Sequence, residues 1–296
     1  MSNPTRIFDL AYRQTELFPN LEMFSSKIDG DWVSIKTEDF IAHTRKVSKG
    51  LLALGVKPGS KVGLVCESRY EWHVIDFAIQ QIGAVVVAIY PNITDADYQF
   101  IFNDAEIHLC IVSSKNLFDR ISELQNSIYS LDYIFSINEF ENSRNWNELE
   151  EVGQNIPDQE LDHFINQVKG SDLATLIYTS GTTGIPKGVM LSHTNMLSNV
   201  FSAREVTPLK EYSRGLTFLP PCHAYERMVI YTYLYIGITV FFAEGFEKIG
   251  DNISEVKPHI MTAVPRLMEK VFEKIMKTGS TLTGVKKTAF DWAVTV

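Results

Sequence analysis

Short apolar runs and amphipathic helical segments alternate along almost the whole chain, and this alternation narrows the possible folds more than any other property. Residues 84–90 are almost wholly apolar and mostly β-branched, which is typical of a strand buried on both faces. Two of the helical segments begin at capping-box pairs, Ser68 with Glu71 and Thr94 with Asp97. Further strands are predicted at residues 61–66, 108–112, 133–137 and 173–178. Because helices separate these strands, right-handed crossovers and parallel pairing follow, and the sequence predicts an α/β fold with largely parallel sheets flanked by helices.

A polar segment at about residues 138–171 divides the chain. It is rich in acidic and amide side chains and only weakly periodic, so we interpret it as a surface helix and connector. We therefore expect a first α/β subdomain over residues 1–171. Residues 172–296 would be the start of a second α/β subdomain, which we expect to be truncated.

The charge balance excludes one class of partner. Lys and Arg number 27 against 36 Asp and Glu, so the formal net charge is −9. A nucleic-acid-binding domain presents a basic face, and we therefore expect no nucleic acid partner. The negative charge also opposes adsorption to an anionic membrane surface. Net charge does not locate individual side chains, so peripheral membrane contact stays open, as does the oligomeric state.

The cysteines and the uncharged stretches indicate a compartment. Cys66, Cys110 and Cys222 lie far apart without the spacing of zinc ligands, and an odd, sparse count suits a reducing cytoplasm. Residues 77–94 and 228–243 carry no charged side chain, but Gln, Pro or Gly interrupts each stretch. A membrane-spanning helix needs about 20 predominantly apolar residues, so we predict buried strand and helix instead. We expect a soluble, cytoplasmic protein.

The most informative segment is residues 179–188, TSGTTGIPKG, which directly follows the predicted strand at 173–178. Its glycines permit backbone conformations closed to other residues, and successive N–H groups in such a turn form an anion-binding nest. Hydroxyl donors and one mobile cation add to this, so the loop suits a polyphosphate. The candidate phosphate-binding residues are Thr179, Ser180, Gly181, Thr182, Thr183, Gly184 and Lys187.

This loop differs from a Walker A loop, which needs glycine before the lysine and Ser or Thr after it. Here Pro186 precedes Lys187 and Gly188 follows it, and a short apolar run at residues 189–191 separates the loop from the next helix. A P-loop NTPase is therefore disfavoured. The remaining alternative is a hydroxyl-rich surface turn, but generic turns do not combine these residue types directly after a buried strand.

Residues 178–188 resemble the signature phosphate loop of the AMP-binding, acyl-adenylate-forming superfamily. Three further segments, residues 69–91, 219–227 and 246–270, are similar to blocks of long-chain fatty acid–CoA ligases. The resemblance implies the N-terminal portion of the adenylate-forming enzyme fold, with the loop around the β- and γ-phosphates of ATP. It also implies a magnesium ion, Mg2+, near the hydroxyl of Thr179.

The resemblance further implies a two-step ligase reaction. A fatty carboxylate attacks the α-phosphorus of ATP and releases magnesium pyrophosphate, and the thiol of CoA then displaces AMP. It places His223 in the wall between the nucleotide and acyl pockets, although a half-buried histidine at a strand end is the alternative. Glu226 and Arg227 either line the site or take part in a structural ion pair.

The later blocks of this family would lie after residue 296, including the carboxylate that binds magnesium and the C-terminal lysine. We therefore expect the chain to be inactive on its own. Two other functions stay open, namely adenylation of an aryl or amino acid and a non-catalytic nucleotide-binding module.

Overall fold

The computed structural model describes residues 3–180 and 185–295. The strands are β1 (Glu22–Ile28), β2 (Asp31–Lys36), β3 (Lys61–Val65), β4 (Val85–Ile89), β5 (Leu109–Val112), β6 (Tyr133–Ser136), β7 (Leu173–Ser180), β8 (Pro186–Ser192), β9 (Arg214–Thr217), β10 (Thr239–Phe242) and β11 (Ile260–Met261). The α-helices are α1 (Asp9–Leu17), α2 (Thr37–Ala53), α3 (Tyr70–Gln81), α4 (Asp95–Asp104), α5 (Lys115–Leu124), α6 (Glu148–Gly153), α7 (Asp158–Gln167), α8 (His193–Val206), α9 (Ala224–Ile236), α10 (Ile249–Val256), α11 (Pro265–Ser280) and α12 (Gly284–Thr295).

One sheet has six strands in the order β6-β5-β3-β4-β7-β8. Its first five strands run parallel, and β8 returns antiparallel beside β7. All five residues of β4 are buried, as expected for a strand covered on both faces. The predicted α/β fold with largely parallel sheets is confirmed.

The second sheet has five strands in the order β11-β9-β10-β1-β2. The hairpin of β1 and β2 joins it because β1 pairs in parallel with β10. Each of the two sheets combines strands from both sides of residue 171. The subdomain boundary predicted there stays a prediction.

Helices α3 and α9 lie between the two sheets. Ten residues of α3 and nine of α9 are buried, and both helices contribute to a core shared with strands of each sheet. Helices α4 and α5 pack in a second core on the opposite face of the six-stranded sheet. The chain therefore leaves β3 toward one face and β4 toward the other, which is a topological switch point.

One of the two capping predictions is confirmed and the other is wrong. Thr94 and Asp97 form a reciprocal capping box at the start of α4. Helix α3 instead begins after Arg69, and the Glu71 carboxylate accepts from the Arg69 guanidinium, with 2.8 Å between Nε and Oε2. A charged donor beside Glu71 competes with the neutral capping contact, because charge-assisted hydrogen bonds are the stronger ones.

The two uncharged stretches form buried helix and strand, as predicted, in α3 with β4 and in α9 with β10. None of the helices in the described ranges is long and apolar enough to cross a membrane.

Candidate functional site

The β7–β8 hairpin carries both arms of the predicted phosphate-binding loop. Thr179 pairs with Lys187 across this antiparallel ladder, and Ser180 pairs with Pro186. Side chains directly opposite each other in such a ladder share a face, so the Thr179 hydroxyl and the Lys187 ammonium lie on the same side. Both residues are exposed. The strand-to-strand pairing therefore brings a hydroxyl and a cation together at the end of the hairpin.

The tip of this loop lies outside the described residues. The tip contains four of the predicted phosphate-binding residues, Gly181, Thr182, Thr183 and Gly184. The assignment of the loop to phosphate binding stays a prediction.

Gly188 has a packing role in the hairpin. It lies opposite Tyr178, and a Cβ atom at position 188 would approach the Tyr178 ring to 3.0 Å. The ring therefore lies across the glycine, and the Tyr178 hydroxyl donates to Asp104 Oδ2 at 2.6 Å. Burial raises the pKa of Tyr178, and the neighbouring Asp104 carboxylate raises it further. This contact fastens the hairpin to the C-terminal end of α4.

The register of the six-stranded sheet brings Tyr90 and Thr179 to the same edge, each two residues beyond the last pair of β4 with β7. Val86 pairs with Thr175 and Ala88 with Ile177, so the next residues along this face are Tyr90 and Thr179. Tyr90 directly follows β4, and Thr179 is the penultimate residue of β7. Both therefore lie at the carboxyl ends of parallel strands, where α/β proteins bind their ligands. The end of the hairpin therefore lies at the same edge of the sheet as the switch point, since β7 is the neighbour of β4.

His223 lies at the same edge of the sheet, at the start of a helix that packs between the two sheets. It immediately precedes α9, is exposed, and packs edge-on against the Tyr90 ring with 4.4 Å between ring centroids. Its imidazole makes no capping hydrogen bond to α9 in the described structure. Burial lowers the pKa of His223, so the ring is neutral near pH 7. A neutral imidazole can both donate and accept a hydrogen bond beside a ligand.

Arg227 and Glu226 do not pair with each other. Arg227 forms a fully buried ion pair with Asp76 of α3, and its Nη1 donates to Thr175 Oγ1 at 2.7 Å. Glu226 is also buried, and it accepts hydrogen bonds from the hydroxyls of Thr217 and Thr262. Burial raises the pKa of Glu226, and these two hydrogen bonds oppose the rise. The structural reading of Arg227 is thus correct, with Asp76 as its partner.

The sequence did contain a signal for Asp76. A carboxylate on a helix that is otherwise apolar and buried needs a cation or several donors, because buried charges are paired. The partner lies 151 residues away in the chain. Periodicity within one helix cannot identify a partner at that distance.

The donor set at this edge fits a polyphosphate that brings its own cation. No group of three or more His, Cys, Asp or Glu side chains suited to a metal occurs in residues 3–180 and 185–295. Mg2+ keeps several waters and is held by one or two protein ligands together with substrate phosphates. The Thr179 hydroxyl is the candidate protein ligand, and the Lys187 ammonium on the same face suits the phosphate charge.

A groove of about 880 Å3 lies elsewhere, between α10 and the C-terminal helices. Its walls include Phe246, Leu267 and Phe290, and none of the predicted site residues that the structure describes lines it. The apolar side chains of Met268 and Phe272 on α11 are exposed nearby. Volume alone therefore does not identify the candidate site.

Comparison with known proteins identifies the family of the chain. Residues 12–291 match the family model described as AMP-binding enzyme. The long-chain-fatty-acid–CoA ligase FadD15 of Mycobacterium bovis is 29% identical over 283 residues, which cover 93% of this chain and 47% of that protein. The human long-chain-fatty-acid–CoA ligase ACSBG2 is 29% identical over 300 residues, covering 98% of this chain and 45% of that protein. The chain spans about half the length of the curated relatives it matches. The predicted resemblance to long-chain fatty acid–CoA ligases is confirmed.

A solved structure has the same fold. The crystal structure of the long-chain-fatty-acid–CoA ligase FadD1 from Archaeoglobus fulgidus superposes with a TM-score of 0.80 at 21% identity. The match covers 94% of this chain and 55% of that chain. At this identity the likeness concerns the fold, which agrees with the predicted N-terminal portion of the adenylate-forming enzyme fold.

Proposed function

The chain belongs to the AMP-binding enzyme family, and we propose that it is the ATP-binding part of a ligase that activates a long-chain fatty acid. The observation that carries this proposal is the β7–β8 hairpin, where Thr179 and Lys187 share a face at the carboxyl edge of the sheet. The loop between them has the sequence expected of a phosphate cradle. The names of the relatives support the fatty acid as the substrate.

In the proposed reaction the hairpin binds the β- and γ-phosphates of ATP. A carboxylate oxygen of the fatty acid attacks the α-phosphorus, and the bond between that phosphorus and the pyrophosphate oxygen breaks. Lys187 and the loop hydroxyls then hold the departing pyrophosphate, whose charge they stabilise. A bound Mg2+ would neutralise further phosphate charge. In the second step the sulfur of CoA attacks the acyl carbon and AMP leaves.

His223 has a separate proposed role in this arrangement. Its neutral imidazole lies beside Tyr90 at the same sheet edge as Thr179. From this position it can form one wall of the site and hydrogen-bond to the carboxylate or the α-phosphate. We assign it no role as a general base.

Two other functions would use the same hairpin. Adenylation of an aryl or amino acid needs the same phosphate grip, and a non-catalytic module would bind the nucleotide without turnover. The relatives' names favour the fatty acid among the possible acids. The cytoplasmic location is also a proposal, which the three buried thiols support.

The first test measures the binding of ATP with Mg2+ to this chain by isothermal titration calorimetry. We expect binding without pyrophosphate release from the 296-residue chain, with or without palmitate. Absence of ATP binding would contradict the proposed function as a whole. Palmitate-dependent pyrophosphate release would contradict only the proposed inactivity of this chain.

The substrate is tested on the polypeptide that the whole reading frame encodes. Palmitate, benzoate and leucine are compared at equal concentration in an assay of pyrophosphate release. We expect release with palmitate and only background with the other two acids. Release that depends on benzoate or leucine instead would replace the fatty acid with that class of substrate.

A further inference from the structure

Glu226 and Arg227 are consecutive residues of the first turn of α9, and both side chains are fully buried. Buried charges are costly unless they are paired or hydrogen-bonded, so two in succession need an explanation. Successive helical residues point about 100° apart, and here the two side chains reach different parts of the molecule.

Arg227 fastens α9 to the six-stranded sheet and to α3. Its Nη1 donates to Thr175 Oγ1 of β7 at 2.7 Å, and the Thr175 hydroxyl in turn donates to the Val86 carbonyl of β4 at 2.7 Å. Its Nη2 donates to Asp76 of α3. Its Nε donates to the hydroxyl of Tyr231, one turn further along α9, at 2.7 Å. One guanidinium thus links α9 with α3 and with the two strands, β4 and β7, whose carboxyl ends carry Tyr90 and Thr179.

Glu226 fastens the same helical turn to the five-stranded sheet. The Thr217 hydroxyl, at the carboxyl end of β9, donates to Glu226 Oε1. The Thr262 hydroxyl, directly after β11, donates to Glu226 Oε2 at 2.9 Å. The carboxylate thus spans from α9 to the ends of two strands in the second sheet.

We infer that Glu226 and Arg227 are positioning residues, which together hold the first turn of α9 between the two sheets and thereby keep His223 against Tyr90 beside the hairpin. This inference rests on the proposed function, because the position of His223 against Tyr90 matters for activity only if His223 forms part of the proposed site. Neither residue has to touch a substrate. Each acts on the site through the placement of His223, four residues before Arg227 and three before Glu226.

The chain contains its own reporter of this placement. Cys222 immediately precedes His223 and is 1% exposed, so a thiol reagent reaches it only when this end of α9 opens. Cys110 of β5 is equally buried, but it belongs to the core on the opposite face of the six-stranded sheet. A change in the labelling rate of Cys222 relative to Cys110 therefore measures local opening. Global destabilisation would raise both rates together.

The test uses Thr175→Val and Thr262→Val, which remove the hydroxyl partners of Arg227 and Glu226 at nearly constant volume. We expect each to raise the Cys222 to Cys110 labelling ratio about tenfold, since a lost hydrogen bond to a charged group is involved. Thr175→Ser keeps the hydroxyl and should restore the original ratio. Thr232→Val is the matched control, because the buried Thr232 hydroxyl donates to Met228 within α9 itself and should leave the ratio unchanged.

An unchanged ratio in both test variants, or an equal rise in Thr232→Val, would overturn the inference. If Thr175→Val does not fold, Thr262→Val still tests the inference, through the hydrogen bond from Thr262 to Glu226. ATP affinity of the same proteins separates the two proposals. An unaltered chain that binds no ATP contradicts the proposed function, whereas the labelling ratio decides the positioning role in either case.

Discussion

The imidazole of His223 packs edge-on against the ring of Tyr90, with ring centroids 4.4 Å apart and an angle of 72° between the ring planes. Tyr90 follows β4 and His223 precedes α9. This contact therefore joins the carboxyl end of strand β4 to the start of the helix that lies between the two sheets. The same packing shields part of the otherwise exposed imidazole from water. Burial is the cause that lowers the pKa of His223.

Removal of the Tyr90 ring should therefore change the titration of His223. In the unaltered chain we expect a midpoint below the ordinary value of 6.5, and in Tyr90→Ala a midpoint closer to it. Imidazole resonances in NMR spectra recorded from pH 4 to pH 8 would measure both midpoints. Tyr129→Ala is the control, because Tyr129 is 92% exposed and should leave the midpoint unchanged. Equal midpoints in all three proteins would contradict the proposed effect of the contact.

Lys187→Ala should weaken the binding of ATP. Loss of a charged hydrogen bond to phosphate costs about 1.5–3 kcal/mol, which corresponds to about a 10- to 100-fold rise in Kd. Calorimetric titration with ATP and Mg2+ measures this change. Lys57→Ala removes the same charge from an exposed lysine in the turn before β3, at the opposite edge of the sheet, and should leave Kd within about twofold. Equal losses in both variants would show that only the net charge matters.

The sequence predicted the central strands well, because a strand buried on both faces carries a continuous apolar run. It was less successful with β8, which begins at Pro186 although the apolar run indicated a start at residue 189. Pro186 and Gly188 both argue against a strand, but β8 is the edge strand, where missing donors and side chains are tolerated. Lys187 therefore belongs to the ladder, opposite Thr179.

The hairpin of β1 and β2 was missed entirely. Its strands contain Ser25, Ser26 and Lys27 and lack a clear alternation of apolar and polar residues. Their place is determined by pairing with β10, more than two hundred residues later in the chain, which local patterns do not contain. The position of His223 depends on the same kind of distant contact. The sequence identified its residue type, but only distant contacts of α9, such as the hydrogen bond from Arg227 to Thr175, bring it to Tyr90.

Gly50→Ala should destabilise the protein although alanine favours helices. Gly50 of α2 and Gly153 of α6 lie where these helices touch, and a Cβ atom at position 50 would lie 2.1 Å from the Leu149 carbonyl oxygen. Overpacking of this kind costs about 1–3 kcal/mol, and we expect the free energy of unfolding in urea to fall by that amount. Gly250→Ala in α10 is the control, because none of the described atoms lies within 4 Å of its added Cβ. We expect that variant to be equal to the parent or more stable, by up to about 1 kcal/mol.

His73 should make the protein sensitive to acid. The imidazole is fully buried, stacks on Phe24 with ring centroids 5.2 Å apart, and neither ring nitrogen has a hydrogen-bond partner among the described residues. Burial, with the nearby Arg227 charge, lowers the pKa of His73 to about 3 from the ordinary 6.5. Between these two values the unfolded chain binds a proton that the folded chain does not bind. The stability that neutral His73 permits is therefore complete above pH 6.5 and is lost progressively as the pH falls toward 3.

The loss is about 1.4 kcal/mol per pH unit, or about 2 kcal/mol between pH 7 and pH 5. His73→Phe, which keeps a ring beside Phe24 but cannot titrate, should lose about 2 kcal/mol less over this interval when urea unfolding is measured at both pH values. His193, whose pKa burial lowers to about 4, contributes equally to both proteins and cancels in the comparison. His163→Gln, at an exposed position of α7, should behave like the parent. Parallel losses in the parent and His73→Phe would mean that His73 is protonated in the folded protein.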